Sequence, residues 1–207
     1  MTIRPNSSGS WLVILAAAGI LSACGTGTTP AGSAAAGTLA QSGTDRSAAP
    51  VTESNPAGDI PDTQVFVNYS AGGYTVQVPE GWARIDSGTT ATFTDKYNSI
   101  RADITANPSA PTVQTGQAEL DMIGSTATGF APGEVTVVQR PAGPAVLITY
   151  QADSAPNEVT GKVVSDAVER YEFWNNGNEV MLTLSGPVGS DNVDPWRTVT
   201  DSFRWTT

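Results

Sequence analysis

The chain of 207 residues contains no histidine and a single cysteine. Without histidine it lacks the side chain that titrates near neutral pH unperturbed, which is also the commonest general base and metal ligand. A Ser-His-Asp triad is therefore excluded, and the usual imidazole and thiolate ligands of zinc or copper are missing. The lone Cys24 cannot form an internal disulfide. Bases are scarce, with 10 Lys and Arg against 20 Asp and Glu, and the charges are spread along the chain. This argues against nucleic acid as a partner, because phosphate binding needs basic patches. No Gly-x-Ser-x-Gly elbow and no Lys-bearing phosphate loop occurs. Lys96 and Lys162 are the only lysines, and neither sits in a Ser-Lys motif. Paired carboxylates are the one hydrolytic route that composition leaves open. No spacing singles out a pair.

The longest apolar run is residues 11–21, Trp-Leu-Val-Ile-Leu-Ala-Ala-Ala-Gly-Ile-Leu. It is far short of the roughly 20 residues needed to span a hydrocarbon core as a helix. Preceded by Arg4 and followed by the small residues Ser22 and Ala23, it has the three parts of an export signal over residues 1–23. The run Leu21-Ser22-Ala23-Cys24 resembles the bacterial lipobox. That resemblance implies acylation of the Cys24 sulfur, cleavage before it, and a lipoprotein held on the extracytoplasmic face of a cell membrane. Two or three acyl chains, at about 0.8 kcal/mol per buried CH₂, would anchor it stably.

Residues 24–62 carry the lipidated Cys24 and a segment dominated by Gly, Ala, Ser, Thr and Pro, without aromatics. Its only large aliphatics are Leu39, Val51 and Ile60. Such a composition reads as a flexible linker, unable to bury enough apolar surface to offset the entropy of ordering. Composition shifts near Thr63. All Phe and Tyr residues and four of the five Trp lie in 63–207, a length typical of one domain with its own core.

Within that domain the apolar residues mostly alternate. Tyr74, Val76 and Val78 alternate with Thr75 and Gln77 before Pro79-Glu80-Gly81. Ala91 and Phe93 alternate with threonines, and Ile100, Ala102 and Ile104 with Arg101 and Asp103. Each has the period of a half-buried strand. Val135 and Val137 begin another. Val146, Ile148 and Tyr150 mark one that is apolar on both faces at Leu147, which predicts a central position. Asn176-Gly177 suits a type I′ turn, whose central residues both need positive φ. Pairing outward places Phe173 opposite Val180 and Tyr171 opposite Leu182 on the core face. Arg170, Glu172 and Trp174 then fall on the other face, opposite Thr183, Met181 and Glu179. Helices are predicted over about 115–126, with Leu120 and Ile123 three apart and Ala118 and Met122 alongside, and from Asp194-Pro195 onward. In the second, Asp194 is the expected N-cap, and Trp196, Val199 and Phe203 form the packing face. Asp191, Asn192 and Asp194 lack the spacing, central Gly and terminal Glu of a calcium loop, so they read as capping residues.

The segment Tyr74-Thr-Val-Gln-Val-Pro-Glu-Gly-Trp82 resembles the Val-Pro-x-Gly-Trp opening of Mog1/PsbP-like domains. Asp201-Ser202-Phe203-Arg204-Trp205 resembles their Ser-Phe ending. The likeness spans about residues 64–206 and looks closest to LpqN-type and PsbP-like envelope lipoproteins. It implies an α/β fold, an antiparallel sheet flanked by helices in an α/β/α sandwich. It also implies a binding or assembly role, with no common catalytic residues to carry over; no enzymatic activity, cofactor or metal is expected.

Trp82 and Trp196 read as core residues. Trp174, near the hairpin tip with Asn176, is the candidate partner-binding residue, because exposed Trp favours partner contact; covering the sheet face is the other reading. The expected function is a membrane-anchored, non-enzymatic binding module with an envelope protein partner. A carrier of a small apolar or lipid ligand between sheet and helices is the alternative, followed by a hydrolase of envelope polymers.

Overall fold

The computed structural model describes residues 58–157 and 160–206. The expected signal segment 1–23, Cys24 and the linker as far as residue 57 lie outside the described residues. Along the described chain come β1 (Phe66–Ala71), β2 (Tyr74–Pro79), β3 (Ala83–Ser87), β4 (Thr90–Asp95) and β5 (Asn98–Ala106). Helix α1 (Val113–Thr126) follows, then β6 (Ala131–Arg140), β7 (Gly143–Asp153), β8 (Ser165–Asn175), β9 (Asn178–Pro187), α2 (Val193–Ser202) and the short β10 (Arg204–Trp205).

Seven strands form one sheet in the order β3-β4-β5-β9-β8-β7-β6, and β1-β2-β10 form a second, smaller sheet. Every pairing is antiparallel. The expected antiparallel sheet flanked by helices is what the chain adopts. The separate three-stranded sheet is an addition that the alternation of Tyr74, Val76 and Val78 did not reveal.

Turn chemistry sets the registers. Asn176 and Gly177 have φ of 48° and 83°, both positive as a type I′ turn demands. The pairing follows as predicted: Phe173 with Val180, Tyr171 with Leu182, Glu172 with Met181 and Trp174 with Glu179. Gly72 and Gly73 close the β1–β2 hairpin in the same way, with φ of 51° and 96°. This glycine pair was a second hairpin signal in the sequence. The strand with Val146 and Ile148 is not central. β7 lies next to the edge strand β6 and is buried on both faces because both carry a cover.

On one face, β2 and α2 close the main core. Tyr74, Val76, Phe93, Ile100, Tyr171, Phe173, Val180, Leu182, Leu184, Trp196, Val199 and Phe203 pack there. Phe203 stacks on Phe173 at 4.2 Å and on Tyr74 at 5.7 Å between ring centroids. The Ser-Phe ending thus places its ring between the two sheets. On the opposite face, α1 lays Leu120 over Val146 and Ile148, flanked by Phe130, Val135 and Tyr150.

α1 begins at Val113, two residues earlier than predicted, because Thr112 and Thr115 form a reciprocal cap. The Thr112 hydroxyl accepts from the Thr115 N–H at 3.1 Å, and the Thr115 hydroxyl accepts from the Thr112 N–H at 2.8 Å. Ala118 and Met122 face solvent instead of the sheet. The contact runs through Gly116 and Leu120, the buried pair four residues apart. A Cβ on Gly116 would sit 2.8 Å from Val135 Cγ1 and 3.0 Å from Val146 Cγ1, so only glycine lets the helix lie this close.

α2 starts at Val193 with Asn192, not Asp194, at the N-cap position. Asn192 makes no capping bond because its side chain is engaged elsewhere. Its Oδ1 accepts from the Ile60 N–H at 2.9 Å, and its Nδ2 donates to the Gly58 carbonyl and to Asn98 Oδ1. Residues 58–60, read as the end of the linker, are therefore docked on the domain. Ile60 is 4% exposed and belongs to the main core.

Candidate functional site

The α1 face of the large sheet is covered by the helix only toward β6 and β7. Beside the helix, at the tip of the β8–β9 hairpin, two adjoining clefts share Ala110, Pro111 and Glu172. One, of about 110 Å³, is apolar: Val137, Pro144, Ala145, Val146 and Trp174 complete it. The other, of about 160 Å³, is acidic and polar, with Asn107, Ser109, Thr115, Glu119 and Glu179. Together they make one groove with an apolar half and an acidic half.

Trp174 is half-buried in the apolar half. Its indole N–H donates to the Asn107 carbonyl at 2.8 Å, and the Asn107 N–H donates to the Gly177 carbonyl at 2.9 Å. The hairpin tip and the loop after β5 are thereby clamped together, with the indole edge left at the groove. Trp174 covers the sheet and also lines the apolar cleft. Asn176 is exposed, and its visible duty is the positive φ of the turn. Val137, on edge strand β6, is 52% exposed beside this groove. Sequence reasoning passed over it, although its phase in the strand, two residues from half-buried Val135, was legible.

The acidic half is built from α1, β8 and β9. Glu119 pairs with Arg170 Nε at 2.6 Å. Arg170 also donates to the Thr183 hydroxyl at 3.0 Å and contacts Met181 Sδ. Glu179 accepts from Asn107 Nδ2 at 2.6 Å. Glu172 is 3% exposed. Burial, then its hydrogen bond with Glu119 and the charges of Glu119 and Glu179, push its carboxyl up to about 8, while Arg170 pulls the other way. Burial and the neighbouring carboxyls thus favour the protonated form of Glu172. Among the described residues no group of three or more His, Cys, Asp or Glu side chains is placed to hold a metal ion. The acidic cleft is well below the roughly 300 Å³ of ordinary small-molecule sites.

The solution structure of the cyanobacterial PsbP (CyanoP) from Synechocystis sp. PCC 6803 matches this backbone with a TM-score of 0.51. Sequence identity is 16%, and the match covers 73% of this chain and 99% of that one. The fold is Mog1/PsbP-like. The Ran-binding protein Mog1p of Saccharomyces cerevisiae is similar at a TM-score of 0.46 and 11% identity, covering 69% of this chain and 96% of that one. No protein-family model matches the chain, and no curated protein does. What the Mog1/PsbP-like likeness supplies is the architecture. The groove is read from this chain's own residues.

Proposed function

We propose that this chain is a membrane-anchored extracytoplasmic lipoprotein, acylated on Cys24, whose Mog1/PsbP-like domain is a non-enzymatic binding or assembly module. One observation carries the binding reading: the half-apolar, half-acidic groove that Trp174, Val137 and Glu172 form at the hairpin tip. An apolar anchor beside polar groups suits a protein segment presenting an apolar side chain next to a hydrogen-bonding one. The acidic balance of the whole chain, 20 Asp and Glu against 10 Lys and Arg, favours a partner of basic character.

The alternative, a carrier of an apolar or lipid ligand held between sheet and helices, needs an internal cavity. Two glycines speak against it. Gly116 lies against Val135 and Val146, and a Cβ on Gly124 would meet the Phe130 ring at 2.6 Å. This packing leaves no room for a ligand under α1.

The test is photo-crosslinking in living cells of the acylated chain, with the crosslinker at position 137 and, as a control, at position 85 on the distant edge strand β3. A single protein species captured at 137 and absent at 85 supports the module. Equal capture at both positions, or a co-purifying lipid and no protein, overturns it. For the anchor, Cys24→Ala should move the protein out of the membrane fraction or leave its precursor uncleaved.

A further inference from the structure

A second cleft, of about 310 Å³, opens at the other end of the hairpins, between the β4–β5 turn and the chain that leads into β8. Its wall is a row of hydroxyls set by strand register. Thr94 on β4 lies opposite Ser99 on β5, and Ser99 lies opposite Ser185 on β9. Asp166, from the start of β8, lines the same cleft. It is 7% exposed, and its Oδ1 is buried without a hydrogen-bond partner. A buried carboxylate oxygen left unpaired is costly, because nothing replaces the water it has lost. Burial pushes this carboxyl up to about 6. Lys96 and Tyr97, the two turn residues, and Lys162 stand around the cleft, with the Lys162 ammonium 5.2 Å from the Tyr97 ring centroid.

We propose that this cleft binds a neutral, hydroxyl-rich ligand, a saccharide ring, with one of its hydroxyls donating to Asp166 Oδ1. The cleft carries charges of both signs, Lys96 and Lys162 against Asp166, so a ligand of one charge is opposed at part of its wall. A sugar hydroxyl satisfies Oδ1 without bringing a charge. Each Ser and Thr hydroxyl of the wall both donates and accepts, which matches the paired donor and acceptor character of a sugar's hydroxyls. Tyr97 adds a half-exposed aromatic ring at the rim, against which the C–H face of a sugar ring can rest. The volume lies at the lower end of ordinary small-ligand sites. The site is independent of the hairpin-tip groove and stands or falls without it.

The experiment is an NMR titration of the isotope-labelled full chain with glucose, mannose, arabinose and maltose, and separately with arginine and inorganic phosphate. Saturable amide shifts at Tyr97, Ser99 and Ser185 are expected with at least one sugar and with neither charged probe. Asp166→Leu, which removes the acceptor, should weaken that sugar by about tenfold or more. Tyr97→Ala, at a half-exposed turn position that leaves the core intact, should also weaken it. Absence of a saturable shift with all four sugars overturns the proposal. So does tighter binding of arginine or phosphate, or sugar affinity unchanged in both variants.

Discussion

Asn192 Nδ2 donates to Asn98 Oδ1 at 3.0 Å across 94 positions of sequence, and both side chains are buried. Asn98 Nδ2 in turn donates to the Gly58 carbonyl at 2.9 Å. With the Ile60 N–H on Asn192 Oδ1, these bonds tie the start of α2, the start of β5 and residues 58–60 into one polar knot. Asn192→Ala would leave the Ile60 N–H without its acceptor and Asn98 Oδ1 without its donor, both in the interior. The expected loss is about 2–4 kcal/mol in urea unfolding. A loss below about 0.5 kcal/mol would mean that the knot contributes little. Gly186→Ala should act on the same knot, because its Cβ would collide with Asn98 Oδ1.

Gly116→Ala should destabilise the domain by about 1–3 kcal/mol through overpacking against Val135 and Val146. In an isolated helix the same change would stabilise, by up to about 1 kcal/mol, so the sign separates packing from propensity. Combining it with Val135→Ala should recover part of the loss. A double variant no better than the sum of the two single changes would argue against direct contact.

Stability should fall as pH rises through the neutral range. Glu172 has an ordinary value of 4.5 and about 8 in the folded domain, and Asp166 goes from 3.8 to about 6. Between each pair of values the folded state holds a proton that the unfolded state has released, so raising pH favours unfolding. The Glu172 contribution is lost between about pH 4.5 and 8 and is flat beyond either limit. Glu172→Gln keeps a neutral donor beside Glu119 and should flatten the upper part of this profile. It should also raise the melting temperature at pH 8 relative to the parent. An identical pH profile in the two proteins would show that Glu172 ionises normally.

Trp174→Phe removes the indole donor and strands the Asn107 carbonyl, at a cost of about 1 kcal/mol. Trp174→Ala should cost more and free the loop after β5, so it confounds partner loss with local unfolding. Val137→Glu is the cleaner probe of the groove. It should leave the free energy of urea unfolding within about 0.5 kcal/mol of the parent, as exposed substitutions do. It should also reduce crosslinking from a neighbouring groove position such as 110. Undiminished capture there would place the partner elsewhere.

Local chemistry made much of this fold legible. Period-two alternation identified the strands through Tyr74, Phe93, Ile100 and Val146, and the Asn176-Gly177 turn then fixed which residues of β8 and β9 face each other. These features depend on neighbours within a few residues, so a sequence can determine them by itself. The Val-Pro-x-Gly-Trp and Ser-Phe segments pointed to the right fold, and Trp174 to one wall of the groove. The rest depended on which strands become neighbours. β5 pairs with β9 across some eighty residues, and no local period encodes that choice. Only this pairing brings Thr94 and Ser99 beside Ser185 and the cleft that Asp166 lines, and only the seating of α1 brings Glu119 to Glu172. The same holds for Asn192, whose local role as a cap was lost to longer-range partners. Proton affinity follows the same division. The sequence supplies the carboxyl groups of Glu172 and Asp166, but burial, a property of the assembled sheets, raises their affinity for protons.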